Sequence, residues 1–127
     1  MDIAITLPHE YWNLIVSGVK TIELRKNNPH LMNKSTDRVY VVIKGTTDVV
    51  GFFYFDSTTA TTPNVVLNSE HILKQIAVPK SWIQGYLEGC SLVYLWGIGK
   101  VFVFDKPYSR DSYLNINSNP QSYVYLH

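Results

Sequence analysis

Two neighbouring segments, residues 38–44 (R-V-Y-V-V-I-K) and residues 48–56 (D-V-V-G-F-F-Y-F-D), constrain this chain more than any other part of it. Both are dense in β-branched and aromatic side chains, which pack well on a pleated surface, and the short Gly45-Thr46-Thr47 link predicts a hairpin between them. Each is apolar over much of its length, so both strands are expected to be largely buried. A third run, residues 91–104 (S-L-V-Y-L-W-G-I-G-K-V-F-V-F), reads as one long bent strand or two strands, with Gly97 and Gly99 permitting a bulge or tight bend. Residues 122–126 predict a final strand. Eleven of the 17 aromatics fall in these strand candidates, so most of the aromatic content is accounted for as core and needs no ligand.

The first 26 residues read strand, helix, strand. Residues 2–7 alternate weakly around Ile3, Ile5 and Leu7. Pro8 then suits a first helical turn, Tyr11, Leu14 and Ile15 recur at helical spacing, and Gly18 stops the helix as a left-handed cap would. Residues 20–25 alternate with period two, which directs Ile22 and Leu24 to the core. Residues 26–37 form a long polar connection, and residues 57–64 a Thr-rich loop closed by Pro63. Ser69 caps a helix carrying Ile72, Leu73 and Ile76, and Pro79 opens a second with Trp82, Ile83, Tyr86 and Leu87 before Gly89 ends it. About six strands with an early helix and a mid-chain helical pair predict an α+β fold, a small, mostly antiparallel, partly closed β-barrel. At 127 residues the chain is expected to form one domain, residues 1–127.

With 11 Lys+Arg against 10 Asp+Glu and 46% hydrophobic residues, the chain is neither disordered nor a histone-like cation, and any nucleic-acid contact must be a local patch. No basic n-region with a long apolar h-region opens it, and no apolar run approaches the roughly 18 residues of a membrane span, so a cytoplasmic, membrane-free protein is expected. Cys90 is alone, cannot form an internal disulfide, and reads as a small packed side chain. His9, His30, His71 and His127 share no ligand spacing with a cysteine or carboxylate, so no metal site is expected. Gly97-Ile98-Gly99 lacks the third glycine and following helix of a dinucleotide site, and no cofactor is expected. The phosphate-loop, zinc-protease and nucleophile-elbow signatures are absent as well.

Residues 17–26 (S-G-V-K-T-I-E-L-R-K) hold the chemistry. Strand alternation places Thr21, Glu23 and Arg25 on one face, successive side chains roughly 7 Å apart, with Lys20 at the turn where it can swing to the same cleft. Such a set can bind a phosphate or nucleobase edge, or tune a Lys or Glu for proton transfer; it can equally be a solvated ion pair worth little. Lys20, Arg25, Lys26, Lys34, Arg38 and Lys44 face only Glu23 and Asp37 within residues 20–44, a basic stripe of net +4 that could track a phosphate backbone or merely keep the protein soluble. Trp12, off the Tyr11, Leu14, Ile15 stripe, is a candidate to stack on a base.

The motif G-V-K-T-I-E-L-R-K at residues 18–26 resembles the G-x-K-x-x-E-x-R signature of ASCH domains, members of the PUA-like superfamily. The preceding P-H-E-Y-W-N-L-I-V-S-G, the two hairpin strands, V-P-K-S-W-I-Q-G-Y-L-E-G and the closing N-P-Q-S-Y-V-Y follow in the order of the small ASCH-like proteins common in phages, prophages and bacteria, over nearly the whole chain. The resemblance implies a PUA-like barrel whose cleft, lined by Lys20, Glu23 and Arg25, binds RNA or a modified nucleoside. Gln121, Ser122 and Tyr123 would close the barrel beside it. The full candidate binding set is Trp12, Lys20, Thr21, Glu23, Arg25, Lys26 and Lys44.

One branch of that family hydrolyses the amide of N4-acetylcytidine with a Lys and a Thr in G-x-K-x-x-T and a more distant Glu. Here Glu23 stands at the Thr position and Thr21 beside the Lys, so the nucleophile is not assigned. On an enzyme reading Lys20 would transfer protons, its pKa lowered by partial burial and by Arg25, while Glu23 positions water; Glu70 and Glu88 are the remaining Glu residues downstream. Ribonuclease activity is a further alternative. A third class is a protein-interaction module that meets a partner or another copy through aromatic surface. A homo-oligomer is compatible with the sequence, but no feature of it sets an oligomeric state.

Overall fold

A computed structural model describes residues 1–30 and 32–127. The elements run β1 (Ile3–Leu7), α1 (His9–Val16), β2 (Ile22–Arg25), β3 (Arg38–Ile43), β4 (Asp48–Thr61), α2 (Pro63–Leu67), α3 (Glu70–Ile76), α4 (Lys80–Leu87), β5 (Val93–Ser109), α5 (Arg110–Tyr113) and β6 (Val124–Tyr125). The six strands form one sheet in the order β2-β5-β4-β3-β1-β6, curled into a half-barrel of the α+β class. The central ladder is the predicted hairpin, with Tyr40 opposite Phe52, and β4 continues into β5 with Phe52 opposite Phe102. All pairings are antiparallel except β1 with β3, where Ile5 lies beside Val41.

Alternation sorts the side chains onto two faces. Ile3, Ile5, Val39, Val41, Phe53 and Phe55 point inward with Trp96 and meet Trp12 and Ile15 of α1. Ala4, Tyr40, Val42 and Phe52 point outward under Leu114. A third cluster forms where Val66, Ile76, Ile83 and Leu87 of α2, α3 and α4 cover Leu24, Val93 and Leu95.

Trp12 corrects one expectation. It is only 3% exposed and cannot offer its ring to a base. The apolar stripe of a helix is wide enough to take in neighbouring positions, and here Trp12 and Ile15 are its buried centre while Tyr11 sits at its margin. Room for the indole comes from Gly51, where an added Cβ would lie 2.8 Å from Trp12 Cζ2 and 2.1 Å from the Phe102 carbonyl oxygen.

Other departures have local causes. The Thr-rich stretch expected as a loop extends β4, with Thr58 to Thr61 paired against Trp96 to Val93, since threonine is β-branched and suits a strand. Thr62 then caps the unpredicted α2, its hydroxyl accepting from the Val65 N–H at 3.4 Å, with Pro63 in the first turn. β5 runs on past Phe104 to Ser109, and β6 shrinks to two residues. The bulge expected around Gly97 and Gly99 is present as register shifts between Phe53 and Ser57 of the facing strand. Among the described residues no helix is long and apolar enough to cross a membrane.

Candidate functional site

The site begins at the end of α1. Gly18 takes a left-handed φ of +81°, which residues with a Cβ rarely adopt, and this turns the chain so that the Lys20 N–H returns to the Leu14 carbonyl at 3.0 Å. The Lys20 side chain is thereby driven inward and is 2% exposed. Its ammonium donates to the carbonyls of Ile22 and Ile76, both at 2.9 Å, and lies 3.2 Å from Glu23 Oε1. Ile76 is the last residue of α3, and the Thr21 N–H reaches the Gln75 carbonyl at 2.9 Å, so the entry to β2 satisfies the carbonyl end of that helix.

Two residues along β2 steps, the same face carries Arg25. Its Nε and Nη2 both approach Glu23 Oε2 at 2.7 Å, and Nη1 donates to the Ser122 carbonyl at 3.0 Å. The guanidinium lies 5.7 Å from the centre of the buried Trp96 ring. Glu23 is 5% and Arg25 9% exposed, so of the two readings left open by sequence, the solvated surface pair is ruled out. Burial alone would push the Glu23 carboxyl up, but Arg25 and Lys20, through charge and the hydrogen bonds they donate, hold it below the usual carboxylate range. Glu23 is ionised at neutral pH, leaving a buried triad of net charge +1.

Counting valences shows what the triad has to spare. Lys20 has committed its three N–H donors. Among the described residues, Arg25 donates from Nε and Nη1 and turns Nη2 to the same Glu23 oxygen, while Glu23 Oε1 meets only Lys20. Arg25 donors and one Glu23 lone pair are therefore left for a ligand.

The triad forms one wall of a cavity of about 410 Å³ at the seam of the half-barrel. Leu7, Pro8, Tyr11, Ile76, Val78 and Trp82 supply apolar walls. Trp82 stacks on Tyr86, ring centres 4.9 Å apart and planes within 15°, and is 49% exposed at the cavity. Thr6 lends a hydroxyl oxygen that is buried and finds no hydrogen-bond partner among the described residues. Burial pushes the Tyr86 phenol up, so it stays protonated.

Sequence reasoning brought Lys20, Glu23 and Arg25 together, and the structure does the same. Lys44 lies at the cavity with its side chain exposed. Lys26 is exposed behind the cavity wall, its ammonium 4.4 Å from the Tyr86 ring centre. Thr21 is exposed and contributes its backbone, and Trp12 belongs to the core. Gln121 lines the cavity, Ser122 accepts from Arg25 and, through its hydroxyl, from Asn27 at 3.0 Å, and Tyr123 meets the Trp96 ring edge-on. Glu70 and Glu88 do not line it.

The basic stripe does not assemble. Lys20 and Arg25 are buried against Glu23, and Arg38 and Lys44 sit at opposite ends of β3, about 20 Å apart at strand rise. By helical spacing Tyr11, Trp82 and Tyr86 belong to helix faces turned to the core. Tyr11 and Tyr86 do pack against the core cluster, and only the fold shows that all three also line the cavity, with Trp82 half exposed there. Among the described residues no three His, Cys, Asp or Glu side chains gather as a metal site.

The fold matches solved structures closely. A crystal structure of ASCH from Zymomonas mobilis superposes with a TM-score of 0.82 at 22% identity, over 99% of this chain and 87% of that one. A serine-to-alanine variant of the same protein gives 0.84 at 19% identity over 99% and 88%, and a tyrosine-to-phenylalanine variant 0.82 at 22% over 99% and 90%. This chain has the ASCH fold. No protein-family model and no curated relative matches the sequence. In this ASCH fold the helix-to-strand motif contributes Lys20, Glu23, Leu24 and Arg25 to the cavity wall.

Proposed function

We propose that this ASCH-fold protein binds RNA or a modified nucleoside, with one base seated in the seam cavity. The observation that supports this most is the pairing of unspent Arg25 donors and a Glu23 acceptor with apolar, aromatic walls, in a volume of about 410 Å³. Ligand pockets of roughly 300–1,000 Å³ with a few convergent polar groups are the usual size for a small organic ligand. A heteroaromatic ring with donors and acceptors on its edge suits both parts: the edge meets Glu23 and Arg25, and the ring face meets Trp82. Lys44 at the rim suits a phosphate.

Binding is preferred over hydrolysis because Lys20 has no N–H to spare for a substrate and is held by two backbone carbonyls besides Glu23. The amidohydrolase and ribonuclease readings keep one supporting feature, the Thr6 hydroxyl in the wall, unpartnered among the described residues. Calorimetric titration with cytidine, N4-acetylcytidine, uridine, adenosine and guanosine, followed by chromatography of the recovered ligand, tests binding against deacetylation, and incubation with a short RNA followed by gel analysis tests the ribonuclease reading. At least one nucleoside should bind and be recovered unchanged, and Trp82→Ala should weaken it roughly 5- to 150-fold, the loss of one base stack. Recovery of deacetylated cytidine would replace binding by hydrolysis. Absence of binding at low salt would end the cavity reading.

A further inference from the structure

Outside the cavity, the outer face of the sheet carries a second concentration of aromatic side chains, its centre at Tyr40 and Phe52 buried and its margin exposed. Tyr40 and Tyr54 lie on β3 and β4 beside Phe52, and β5 adds Phe102, Phe104 and Tyr108. Phe52 and Phe102 stack with centres 5.0 Å apart, Tyr108 stacks on Tyr113 of α5 at 4.5 Å, and Phe104 meets Tyr108 and Tyr113 edge-on at 5.2 and 5.5 Å. The rings thus form a continuous surface across three strands. Phe102, Tyr108 and Tyr113 remain 43%, 49% and 42% exposed. Folding leaves this apolar face to water, which a monomeric surface rarely does without a use for it.

Cations sit on the rings themselves. The Arg38 guanidinium is 4.9 Å from the Phe52 centre and the Lys100 ammonium 5.3 Å from that of Phe102. Lys106 is exposed further along β5. Of the carboxylates on β4, β5 and α5, Asp56 accepts from Ser35 at 3.4 Å, Asp111 pairs with Arg110 at 3.1 Å, Asp48 begins β4 opposite Ser109 and so lies beside Tyr108, and Asp105 is exposed. A two-fold contact with another copy would set this face against itself, and wherever Arg38 and Lys100 met each other's copies the like charges would oppose pairing. A phosphate backbone reverses that sign.

We infer that the aromatic outer face of β3, β4 and β5 is a second binding surface, for single-stranded nucleic acid, with bases stacked on Phe102 and on the Tyr108–Tyr113 pair and phosphates met by Lys100 and Lys106. Lys100 lies over Phe102 only through a flexible stem, so an incoming base displaces it from the ring toward the adjacent phosphate. Stacking of this kind tolerates any base, because every base has a π face, and so the surface reads strandedness and not sequence. It is independent of the seam cavity, whose walls include none of these rings.

Fluorescence anisotropy of a short labelled oligouridylate, with an RNA duplex of equal length as control, tests the surface. The single strand should bind and the duplex bind at least tenfold more weakly. Phe102→Ala and Tyr108→Ala should each weaken the single strand by roughly 5- to 150-fold, while Phe102→Trp, which keeps a ring, retains binding. Replacing Lys100 and Lys106 together by Gln should lower the salt slope by about 1.4, the share of two phosphate contacts on a single strand. All four positions are exposed, and thermal melting of each variant confirms that it folds. Phe102→Ala should leave free-nucleoside binding unchanged, so an unoccupied cavity and an unused outer face give different results. Equal affinity for duplex, indifference to Phe102→Ala and Tyr108→Ala, or no binding at low salt overturns the proposal. So does a dimer in sedimentation that Phe102→Ala dissociates, which would make the face a self-contact.

Discussion

Replacing Glu23 with Gln removes one charge from the buried triad and almost no volume. Lys20 and Arg25, 2% and 9% exposed, would then face each other across an amide that neutralises neither. At the recorded separations of 3.2 and 2.7 Å, and an effective dielectric of about 20, the two attractions are worth about 5 and about 6 kcal/mol before desolvation is counted. Much of that is offset by the cost of burying the carboxylate, and loss of one partner from a buried pair typically leaves a deficit of about 3–5 kcal/mol. For a chain of this length the deficit corresponds to a fall in Tm of about 10–20 °C. Urea titration at neutral pH measures it directly. The acid limb supplies a second readout: a carboxyl held low in the folded state stabilises fully above its unfolded value of about 4.3, and that stabilisation fades as pH falls through the lower folded value. Glu23→Gln should therefore flatten the stability profile below about pH 4 as well as lower it at pH 7. A loss under about 1 kcal/mol with an unchanged acid limb would refute the claim that this triad is buried and ionised.

Three further outcomes are expected. Gly51→Ala should lower stability by about 3 kcal/mol or more in chemical denaturation, because the new methyl meets backbone at the Phe102 carbonyl oxygen, 2.1 Å away, where no rotamer change relieves it. Ala77→Gly should raise stability by up to about 1 kcal/mol, read as a Tm increase of a few degrees, since Ala77 ends α3 at a left-handed φ of 59° that glycine adopts freely. Trp82→Ala should leave the melting temperature within a few degrees of wild type while weakening nucleoside binding by roughly 5- to 150-fold, because that ring is half exposed and borders the cavity.

Most of the sheet was legible because its signals are short-range. The β3–β4 hairpin, the β2 alternation, the Gly18 cap and the bulge near Gly97 are each written within ten or so residues. So was the triad, since period two and one turn suffice to bring Lys20, Glu23 and Arg25 together. What escaped depends on distant partners. The parallel pairing of β1 with β3 leaves no local trace, and Thr58 to Thr61 become strand because β5 is long enough to pair with them. Trp12 and Trp82 show the same limit from opposite sides. Both sit on amphipathic helices, yet one is covered by the sheet at Gly51 and the other is left beside a cavity. Apolarity marks a side chain as fit for burial without saying whether a neighbour or a ligand buries it.

The half-barrel's two edge strands never exchange a ladder bond; Arg25 and Asn27 reach across to Ser122 instead. Two hydrogen bonds of about 1 kcal/mol each make a latch where a paired strand would make a weld. The C-terminal strand, tied to the sheet by two paired residues and the Leu126 bond to Asp2, should thus exchange its amide hydrogens sooner than the other five strands. Because the same guanidinium fastens the latch and borders the cavity, a ligand that orders Arg25 should slow that exchange. Amide protection at residues 124–126 becomes a remote gauge of whether the cavity is full.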